Sequence, residues 1–500
     1  MSDSPSIPPL PRLDLLVRDS QRLAEIDGLV PEALAWQRSA VEQRGEIRRR
    51  AKRLATPRVW HDTIGGLASS AWRVATAAAP EAPLALLSAA AEATGVAVGP
   101  PPSASKGTIE RAQRIVRAGG PAYIKLGQFI ATGDGLLPDE WVRAFAWCRD
   151  EAPTLRPGKA EEIVYRELGE RSDQIRSMER LPLATGSIGQ VHRGVLVDGR
   201  PVVIKVRRPR LVKRMRSDIE TLALVAAAAH RLRPEAEAAN LRGFVELFAQ
   251  LTLEELDFRI EAANLVEASA ILEDLGADHV RVPRPIPGMV TERVLVMELV
   301  PGVSYAKLPP MAERKVDGER LLRVGVQSVI EATLVHGIFH GDMHAGNVLI
   351  DDDGNFSLVD LGIAGRLDAR ERAGLVKYLV GFAASDARMQ IEAMRVFGAI
   401  GPNVDVEPLI ARLQAELDTI DDRQAGAITF ERLGDVLGGL LRILGSAGVQ
   451  MPKDLVLFFK NLLYLSGFSA AVAPDADLFA LITSILGDLF QREDLASLIA

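Results

Sequence analysis

The stretch FHGDMHAGNVLI, residues 339–350, gathers four side chains that could carry out chemistry. His340, Asp342 and His344 alternate along the chain, and imidazole and carboxylate groups are ligands of transition metals such as zinc. Asn347 stands five positions after Asp342, a spacing typical of the base and the magnesium ligand of a phosphoryl-transfer site. The two interpretations require different partner residues elsewhere in the chain.

A strand lysine and a loop of small residues form a second candidate group. Lys205 lies in PVVIKV, and a lysine that points inward from an apolar strand must be paired or neutralised. The preceding loop, LATGSIGQVH, has small side chains that let backbone N–H groups approach phosphates. We predict a nucleotide-binding set made of Lys205 and four loop residues, which are Ala184, Thr185, Gly186 and Ser187.

The segment FSLVD leads into a third candidate group, the triplet Asp360-Leu361-Gly362. It occupies the place of the Asp-Phe-Gly triplet of kinases, whose aspartate binds Mg²⁺ at the nucleotide phosphates, and leucine replaces phenylalanine conservatively. We therefore predict Asn347 and Asp360 as Mg²⁺ ligands and Asp342 as the catalytic residue that orients an accepting hydroxyl group or water. Together with Lys205, these residues predict ATP and Mg²⁺ as cofactors.

The zinc interpretation needs further ligands, and the chain does not offer them in a paired spacing. The remaining histidines are isolated along the sequence, at His61, His192, His230, His279 and His336. A hydrolytic zinc site uses three or four protein ligands. We therefore expect His340 and His344 to support the catalytic loop by hydrogen bonds.

The elements that must position these residues follow from the apolar pattern. Two short β-branched runs, QVHRGVLV and PVVIKVRR, are joined by Asp198-Gly199, which is a strong hairpin signal. Helical spacing dominates residues 108–168 and 211–275, two further strands are indicated by VRVPRPI and RVLVMELV, and the runs NVLID and FSLVD flank an acidic turn. Glu298, in RVLVMELV, is included in the predicted nucleotide-binding set.

This order of elements predicts an α+β fold class, a protein-kinase-like two-lobed fold with a helical amino-terminal extension and a helix-rich carboxyl-terminal lobe. We predict four parts: an extension with a Pro-rich start and a basic helix, a second helical extension, a lobe with the nucleotide loop, and a helical lobe with the catalytic loop. Their residues are 1–107, 108–170, 171–302 and 303–500. The basic stretch RGEIRRRAKRL either contacts anionic lipid headgroups or forms a solvated helix face.

Composition narrows the class of protein. The chain is 48% apolar and 25% charged, as in an ordinary soluble protein, and its net charge of −7 argues against a general nucleic-acid binder. The single cysteine, Cys148, forms no internal disulfide and suits a reducing compartment. The amino terminus lacks the pattern of a signal peptide, and no apolar stretch reaches the roughly 18 uninterrupted residues of a membrane span. We expect a cytoplasmic protein.

Four separated motifs, in order along the chain, resemble those of the UbiB/AarF family of atypical protein-kinase-like proteins. They are PAYIKLGQ, ATGSIGQVHRG, EELDFRIEAAN and DLGIAGRL, and the resemblance runs from about residue 108 to 470. The loop HGDMHAGNVLI alone is equally similar to that of aminoglycoside and choline phosphotransferases. The family resemblance implies Mg²⁺-dependent ATP hydrolysis or phosphotransfer, with a role in isoprenoid quinone or lipid metabolism and a lipid or quinone-precursor ligand.

The resemblance also implies roles for residues outside the catalytic loop. The K-x-G-Q helix, here Lys125, Gly127 and Gln128, belongs to an extension that folds over the site where a protein substrate enters an ordinary kinase. Lys125 and Gln128 are therefore included in the predicted catalytic set. The partner of this helix is an E-x-D motif, here Glu255 and Asp257, which we predict to be regulatory.

The resemblance further assigns Glu261 as the partner of Lys205, whereas distance along the chain leaves Glu220 as a competing carboxylate. Thr185 and Gly186 depart from the family pattern, which is alanine-rich at these positions, and this favours ordinary kinase-like phosphate binding. A second departure is Gly133-Asp134-Gly135, where the family carries an arginine and an aspartate, and we expect different contacts of the extension there.

The end of the chain is open to two interpretations. The apolar segment LVLFFKNLLYLSGFSAAVAP contains Lys460, and DLFALITSILGDLF has an amphipathic helical pattern. These helices pack in the core or make peripheral contact with a membrane. Two alternative functions also stay open, a small-molecule phosphotransferase in which Asp342 activates an acceptor hydroxyl group, and a non-catalytic adaptor gated by ATP.

Overall fold

The computed structural model describes residues 11–56, 86–90, 106–132, 137–148, 154–232, 241–308, 316–401, 404–422, 440, 443 and 452–492. The predictions for the Pro-rich start, over residues 1–10, and for Gly133-Asp134-Gly135 lie outside these residues. The chain forms two compact units. The sheet unit comprises Gln21–Val266 and Pro283–Leu299, and the helical unit comprises Met1–Ser20, Glu267–Val282 and Val300–Ala500.

Helices account for most of the described residues. In chain order they are α1 (Leu13–Asp19), α2 (Gln21–Ala24), α3 (Leu29–Leu54), α4 (Lys106–Ala118), α5 (Pro121–Ala131), α6 (Asp139–Phe145), α7 (Lys159–Leu168), α8 (Leu211–Leu232), α9 (Leu241–Glu254), α10 (Phe258–Asp274), α11 (Gly318–His336), α12 (Ala369–Ala383), α13 (Ala387–Val396), α14 (Glu407–Asp422), α15 (Lys453–Val472) and α16 (Leu478–Arg492).

The strands are short and mostly antiparallel. They are β1 (Ile175–Met178), β2 (Ala184–Thr185), β3 (Gly189–Leu196), β4 (Pro201–Arg207), β5 (Val280–Arg281), β6 (Pro285–Val290), β7 (Val294–Glu298), β8 (Val303–Ser304), β9 (Ile338–His340), β10 (Val348–Ile350), β11 (Phe356–Leu358) and β12 (Ala364–Arg366).

The sheet unit is built on the predicted hairpin. Strands β3 and β4 pair antiparallel, with Val191 opposite Lys205, and the turn between them places Gly199 at a positive φ of 92°. The sheet order is β1-β3-β4-β7-β6, and β2 pairs with β3. Every residue of β4 after Pro201 is buried, so this strand carries side chains into the core on both faces. The hairpin prediction is confirmed.

Helix α7 covers one face of this sheet. Its Ile163 and Val164 pack with Val202, Ile204 and Val206 of β4 in one apolar cluster. Since successive side chains of a strand point to opposite faces, Lys205 points away from this cluster. The alternation of the strand thereby separates the apolar layer from the lysine.

The segment VRVPRPI, predicted as one strand, forms parts of two. Val280 and Arg281 form β5, which pairs parallel with β11 in the helical unit, whereas β6 begins at Pro285 and pairs with β7 in the sheet unit. Pro283 and Pro285 lack an N–H group and so interrupt a continuous ladder of hydrogen bonds. The proline positions explain the division.

The helical unit positions its short strands with buried helices. The strand order is β5-β11-β10-β8 in one sheet, and β9 pairs with β12 in another. Aromatic side chains of α15 pack on these strands, since Phe458 contacts Phe339 and Phe468 contacts Phe356. Helix α11 packs against α15 as well as against β9. The loop between β9 and β10 is therefore flanked by strands that pack in the interior.

Candidate active site

The lysine of β4 forms a buried ion pair in the sheet unit. Lys205 Nζ donates to both carboxylate oxygens of Glu261, at 2.7 and 2.9 Å, and the two side chains are 10% and 3% exposed. The ammonium group also lies 5.5 Å from the centre of the Phe258 ring. Glu261 lies in the first turn of α10. Glu220, the competing carboxylate in the sequence, lies on α8 and lines a cavity that Lys205 does not line.

The backbone of the small-residue loop before β3 is stabilised by one hydrogen bond within the loop and by hydrogen bonds from Arg208. The N–H group of Gly186 donates to the carbonyl of Gly189 at 2.9 Å. Arg208 donates to the Gly186 carbonyl through Nε at 3.1 Å and a terminal guanidinium nitrogen at 2.9 Å. The loop that was predicted to bind phosphates, with Ala184, Thr185 and Ser187, therefore has a defined backbone shape.

The two glycines of this loop differ in what a side chain would meet. We expect Gly189→Ala to lower the free energy of unfolding by about 1–3 kcal/mol, because a Cβ there would lie 2.5 Å from the Val206 carbonyl oxygen. Urea unfolding followed by circular dichroism measures this. Gly186→Ala is the matched control, since its Cβ would meet only the Gly189 oxygen at 4.0 Å. Equal stability of the two variants would contradict the argument.

The K-x-G-Q helix, α5, contacts both the E-x-D motif and the nucleotide loop within the sheet unit. Lys125 Nζ forms an ion pair with Glu255, and the side chains are 8% and 17% exposed. Gln128 donates through Nε2 to the Cys148 carbonyl at 3.1 Å, and its Oε1 lies 3.4 Å from Ser187 Oγ, which donates to it. These contacts tie the helix to the loop.

Gly127 of the K-x-G-Q helix has a packing role. A Cβ at this position would lie 2.5 Å from Cys148 Sγ and 3.3 Å from both Phe145 and Val116. Cys148 is itself buried as a small apolar residue, as expected for a lone cysteine. The glycine thus allows α5 to approach its neighbours closely.

Two other predicted residues are engaged by arginines. Asp257 accepts from the Arg259 side chain at 2.9 and 2.6 Å and from its backbone N–H group at 3.1 Å, at the start of α10. Glu298 accepts from Arg284 Nε and from a second guanidinium nitrogen, both at 2.8 Å. The Glu298 carboxylate therefore supports the end of β7 structurally, and its assignment to nucleotide binding stays a prediction.

In the helical unit, His340 connects the loop of Asp342 to the strand that precedes Asp360. Its Nδ1 accepts from the Asp342 N–H group at 3.0 Å, and its Nε2 donates to the Val359 carbonyl at 3.1 Å. Both bonds together require the neutral ring with its hydrogen on Nε2. Burial lowers the pKa of His340, which agrees with a neutral ring. His340 supports the loop, as predicted.

His344 and Asn347 shape the rest of the loop. The N–H group of Gly346 donates to His344 Nδ1 at 2.9 Å, so His344 also acts as a local support. Asn347 Nδ2 donates to the Asp342 carbonyl at 2.9 Å. The amide oxygen of Asn347 is then the atom of this side chain that can bind a cation.

The backbone brings Asp360 to the same end of the β10–β11 hairpin as Asn347. The N–H group of Val359 donates to the Asn347 carbonyl at 2.9 Å. Asp360 follows with φ of 59°, a left-handed conformation that few residues other than glycine, asparagine and aspartate adopt. Strained backbone of this kind clusters at functional sites. The structure thus connects the asparagine and the aspartate that were predicted to bind Mg²⁺.

The donor chemistry of these two residues fits magnesium. Mg²⁺ prefers oxygen ligands, and protein sites typically supply one or two carboxylates while water and phosphate complete the coordination. Asp360 offers a carboxylate on an exposed turn, and Asn347 offers an amide oxygen from a buried side chain. Two protein ligands suffice for a metal that enters together with a nucleotide.

Helix α15 supplies contacts to Asp342 that sequence reasoning missed. Lys460 Nζ donates to Asp342 Oδ1 at 2.9 Å, and the Tyr464 hydroxyl group donates to the same oxygen at 3.0 Å. The fully buried Asn461 accepts from the Met343 N–H group at 3.4 Å, and its Nδ2 donates to the His340 carbonyl. The available signal was a lysine and an asparagine inside an apolar run, since such groups are rarely buried without a partner.

Helix α15 is also the one helix, among the described residues, long and apolar enough to cross a membrane by length and composition. Its most apolar 18-residue window is 71% buried inside the protein. Its Lys460, Asn461 and Tyr464 contact the Asp342 loop. This burial supports the first of the two interpretations, that α15 packs in the core.

Comparisons with known proteins find relatives of this chain over about 70% of its length. Residues 148–394 match the family model of the ABC1 atypical kinase-like domain. The chain is 33% identical over 365 residues to Uncharacterized protein Rv0647c of Mycobacterium tuberculosis (strain ATCC 25618 / H37Rv), with 71% of this chain and 72% of the relative covered. It is 30% identical over 366 residues to Probable protein kinase UbiB of Pseudomonas aeruginosa (strain LESB58), with 72% and 68% covered.

Among solved structures, the chain is similar to the complex of Rv3197 and erythromycin from Mycobacterium tuberculosis. The sequence identity is 22%, the TM-score is 0.43, and the match covers 74% of this chain and 96% of the other.

The protein has a protein-kinase-like α+β fold. This follows from the family match, the antiparallel sheet with its strand lysine and the helical unit with its Asp–Asn loop. The predicted fold class is confirmed. The chain belongs to the ABC1/UbiB family of atypical kinase-like proteins, as the four sequence motifs predicted.

Proposed function

We propose that this protein binds ATP with Mg²⁺ and hydrolyses it or transfers its terminal phosphoryl group. The observation that carries the proposal is the buried ion pair of Lys205 and Glu261 on the strand that follows the small-residue loop. A buried ammonium group is unfavourable unless it is paired, and kinases use such a pair to hold nucleotide phosphates. The proposed phosphate-binding residues are this lysine and loop residues 184–187.

In the helical unit, Asp342 is the proposed base. Its carboxylate would accept the proton of an attacking hydroxyl group or water. Lys460 and Tyr464 both bond to Oδ1, so they orient the carboxylate and compensate its charge. His340 holds the backbone of the same residue. Preorganisation of this kind is what a proton acceptor needs before substrate arrives.

Asn347 and Asp360 are the proposed ligands of Mg²⁺. When bound, the ion would neutralise charge that develops on the phosphate oxygens. The protein contributes the placement of the two oxygen ligands, through the bond from Val359 to Asn347 and the left-handed turn at Asp360.

The test of this proposal is Mg²⁺-dependent nucleotide binding. We expect Asp360→Asn to weaken ATP binding at least about tenfold in Mg²⁺, because a neutral amide replaces the carboxylate ligand, and to change binding little when EDTA removes the ion. A fluorescent ATP analogue, titrated with and without Mg²⁺, measures this. Asp352→Asn, on an exposed turn, is the control of equal charge. Unchanged Mg²⁺ dependence in Asp360→Asn would overturn the proposal.

The extension is proposed to regulate the site. Glu255 and Asp257 are the residues assigned to this role, whereas Lys125 and Gln128 belong to the proposed catalytic set. The contact of Gln128 with Ser187 supports the proposal, since it joins α5 to the nucleotide loop. The four-part division of the chain into residues 1–107, 108–170, 171–302 and 303–500 is retained as part of the proposal.

A role in isoprenoid quinone or lipid metabolism, in the cytoplasm or at a membrane surface, is the proposed biological setting. The support is the similarity to a protein named UbiB. The experiment is an ATPase assay of the purified protein with and without anionic liposomes and a phenol that resembles a quinone precursor. Stimulation supports a lipid-linked role, whereas peptide phosphorylation without stimulation supports an ordinary kinase role.

A further inference from the structure

A cavity of about 700 Å³ in the sheet unit carries a concentration of positive charge that the proposed function does not use. It lies where β4 ends and α8 begins. Its lining includes six cationic side chains, which are Arg207, Arg208, Arg210, Lys213, Arg216 and Arg293. One carboxylate, that of Glu220, lines the same cavity.

Two of the six cations have counterions of their own. Arg207 is paired with Glu292 at 2.9 Å, and Arg293 is paired with Glu167 at 3.1 Å. The other four, Arg208, Arg210, Lys213 and Arg216, have no carboxylate within ion-pair distance in the part of the chain that the structure describes. Four cations therefore face one carboxylate, and the cavity keeps an excess of positive charge.

The positive charge of the cavity extends toward α3, the helix that contains the basic stretch RGEIRRRAKRL. Arg50, on α3, has its pKa lowered first by burial and then by the positive charge of Arg216. Burial also lowers the pKa of the Arg208 guanidinium and raises that of the Glu220 carboxyl group. Each of these groups is held partly out of water, where an unneutralised charge is unfavourable. An anion in the cavity would relieve this for the arginines and would further favour the protonated form of Glu220.

The backbone of the cavity favours the same kind of ligand. Leu211 and Val212, the first residues of the 22-residue helix α8, line it. The first turn of an α-helix has N–H groups without intrahelical partners and carries the positive end of the helix dipole. Phosphate groups bind at such helix ends when cationic side chains assist.

We propose that this cavity binds a phosphate-bearing anion, either a soluble polyphosphate compound or the headgroup of an anionic lipid. The exposed Arg210, Lys213 and Arg216 contact the phosphate oxygens from α8 and the turn before it. Arg208 contacts the anion on one side and the Gly186 carbonyl on the other, so the anion would also influence the nucleotide loop. This last effect rests on the proposed function, whereas binding itself does not.

The test compares two triple variants that remove equal charge. Arg210→Gln/Lys213→Gln/Arg216→Gln removes the exposed cations of the cavity, and Arg208 is kept because it holds the nucleotide loop. The control changes three exposed arginines of the sheet unit that lie outside the cavity, as Arg38→Gln/Arg193→Gln/Arg214→Gln. Circular dichroism and thermal unfolding establish that both variants fold.

The first probe is inorganic tripolyphosphate, titrated by calorimetry without and with saturating Mg²⁺-ADP. We expect binding in both conditions, weakened at least about tenfold in the cavity variant and unchanged in the control variant. Binding that Mg²⁺-ADP abolishes and the cavity variant retains would locate the anion at the nucleotide site and overturn the proposal. Equal weakening in both variants would show unspecific attraction and overturn it as well.

The second probe separates the two sources of phosphate. Co-sedimentation is measured with vesicles of equal phosphatidylglycerol and phosphatidylcholine, and with phosphatidylcholine alone. Loss of binding to the anionic vesicles in the cavity variant alone supports a lipid headgroup, and tripolyphosphate binding without vesicle binding supports a soluble ligand. Failure of both probes to bind the unmodified protein would overturn the proposal, even if Mg²⁺-dependent ATP binding were intact.

Discussion

Replacing Lys205 with methionine is expected to abolish Mg²⁺-dependent ATP binding and to lower the free energy of unfolding by about 3–5 kcal/mol. The affinity is lost because the cation that would hold the nucleotide phosphates is removed. The stability is lost because the Glu261 carboxylate, whose side chain is 3% exposed, keeps its charge in the interior without the ammonium group. Methionine keeps most of the apolar stem of lysine, so packing changes little.

A double variant separates these two effects. Lys205→Met/Glu261→Leu removes both charges, and replacement of a buried ion pair by apolar side chains is often neutral or stabilising. We therefore expect the double variant to recover most of the stability lost in Lys205→Met and none of the nucleotide affinity. Urea unfolding measures the first quantity, and titration of a fluorescent ATP analogue measures the second. Full nucleotide affinity in the stable double variant would remove Lys205 from the proposed site.

Asp342→Asn is expected to reduce the rate of ATP turnover by about 10²–10⁴-fold and to change nucleotide affinity by less than about threefold. The amide keeps the size of the side chain and a hydrogen-bonding oxygen for Tyr464, but it does not accept a proton. The measurement is phosphate release at saturating Mg²⁺-ATP, compared with nucleotide titration of the same preparation. Turnover at the original rate would show that Asp342 is not the base.

Tyr464→Phe tests the same carboxylate by a smaller change. It removes one of the two hydrogen bonds to Asp342 Oδ1 and leaves the carboxylate and Lys460 in place. A single hydrogen bond to a charged group contributes about 1.5–3 kcal/mol, so we expect a decrease in turnover of about 10- to 150-fold at most. A larger loss in Tyr464→Phe than in Asp342→Asn would assign the main chemical role to the tyrosine instead.

The main elements of the fold could be predicted from the sequence because they depend on local interactions. The Asp198-Gly199 turn specifies the hairpin that carries Lys205, since a tight turn and alternating side chains act over a few residues. The prediction for VRVPRPI failed in part, because prolines end one strand and begin another in a different sheet. Local pattern identifies a strand but does not specify its partner.

The part of the candidate site whose residues lie close together in the chain could be predicted from the sequence. Asp342, Asn347 and Asp360 are joined by the short hairpin of β10 and β11, so their spacing carries most of the geometry. His340 could likewise be assigned as a support, because its hydrogen bonds reach Asp342, two residues on, and Val359 at the end of the same hairpin.

Side chains that meet across long stretches of chain were decided by the tertiary structure alone. Lys460 and Tyr464 reach Asp342 across 118 and 122 residues, and the apolar pattern of α15 indicated only a buried or membrane-associated helix. The cationic cavity arises in the same way, since Arg293 joins Arg208 and Arg216 only after β7 has paired with β4.

The sequence by itself determined the family, the order of the elements and the residues that could perform chemistry. The family resemblance chose Glu261 over Glu220 as the partner of Lys205, and the two side chains do meet. Only the tertiary structure decided that α15 completes the surroundings of Asp342. The physical reason is that strand alternation and turn chemistry act over a few residues, whereas the pairing of buried charges depends on how whole helices and sheets pack.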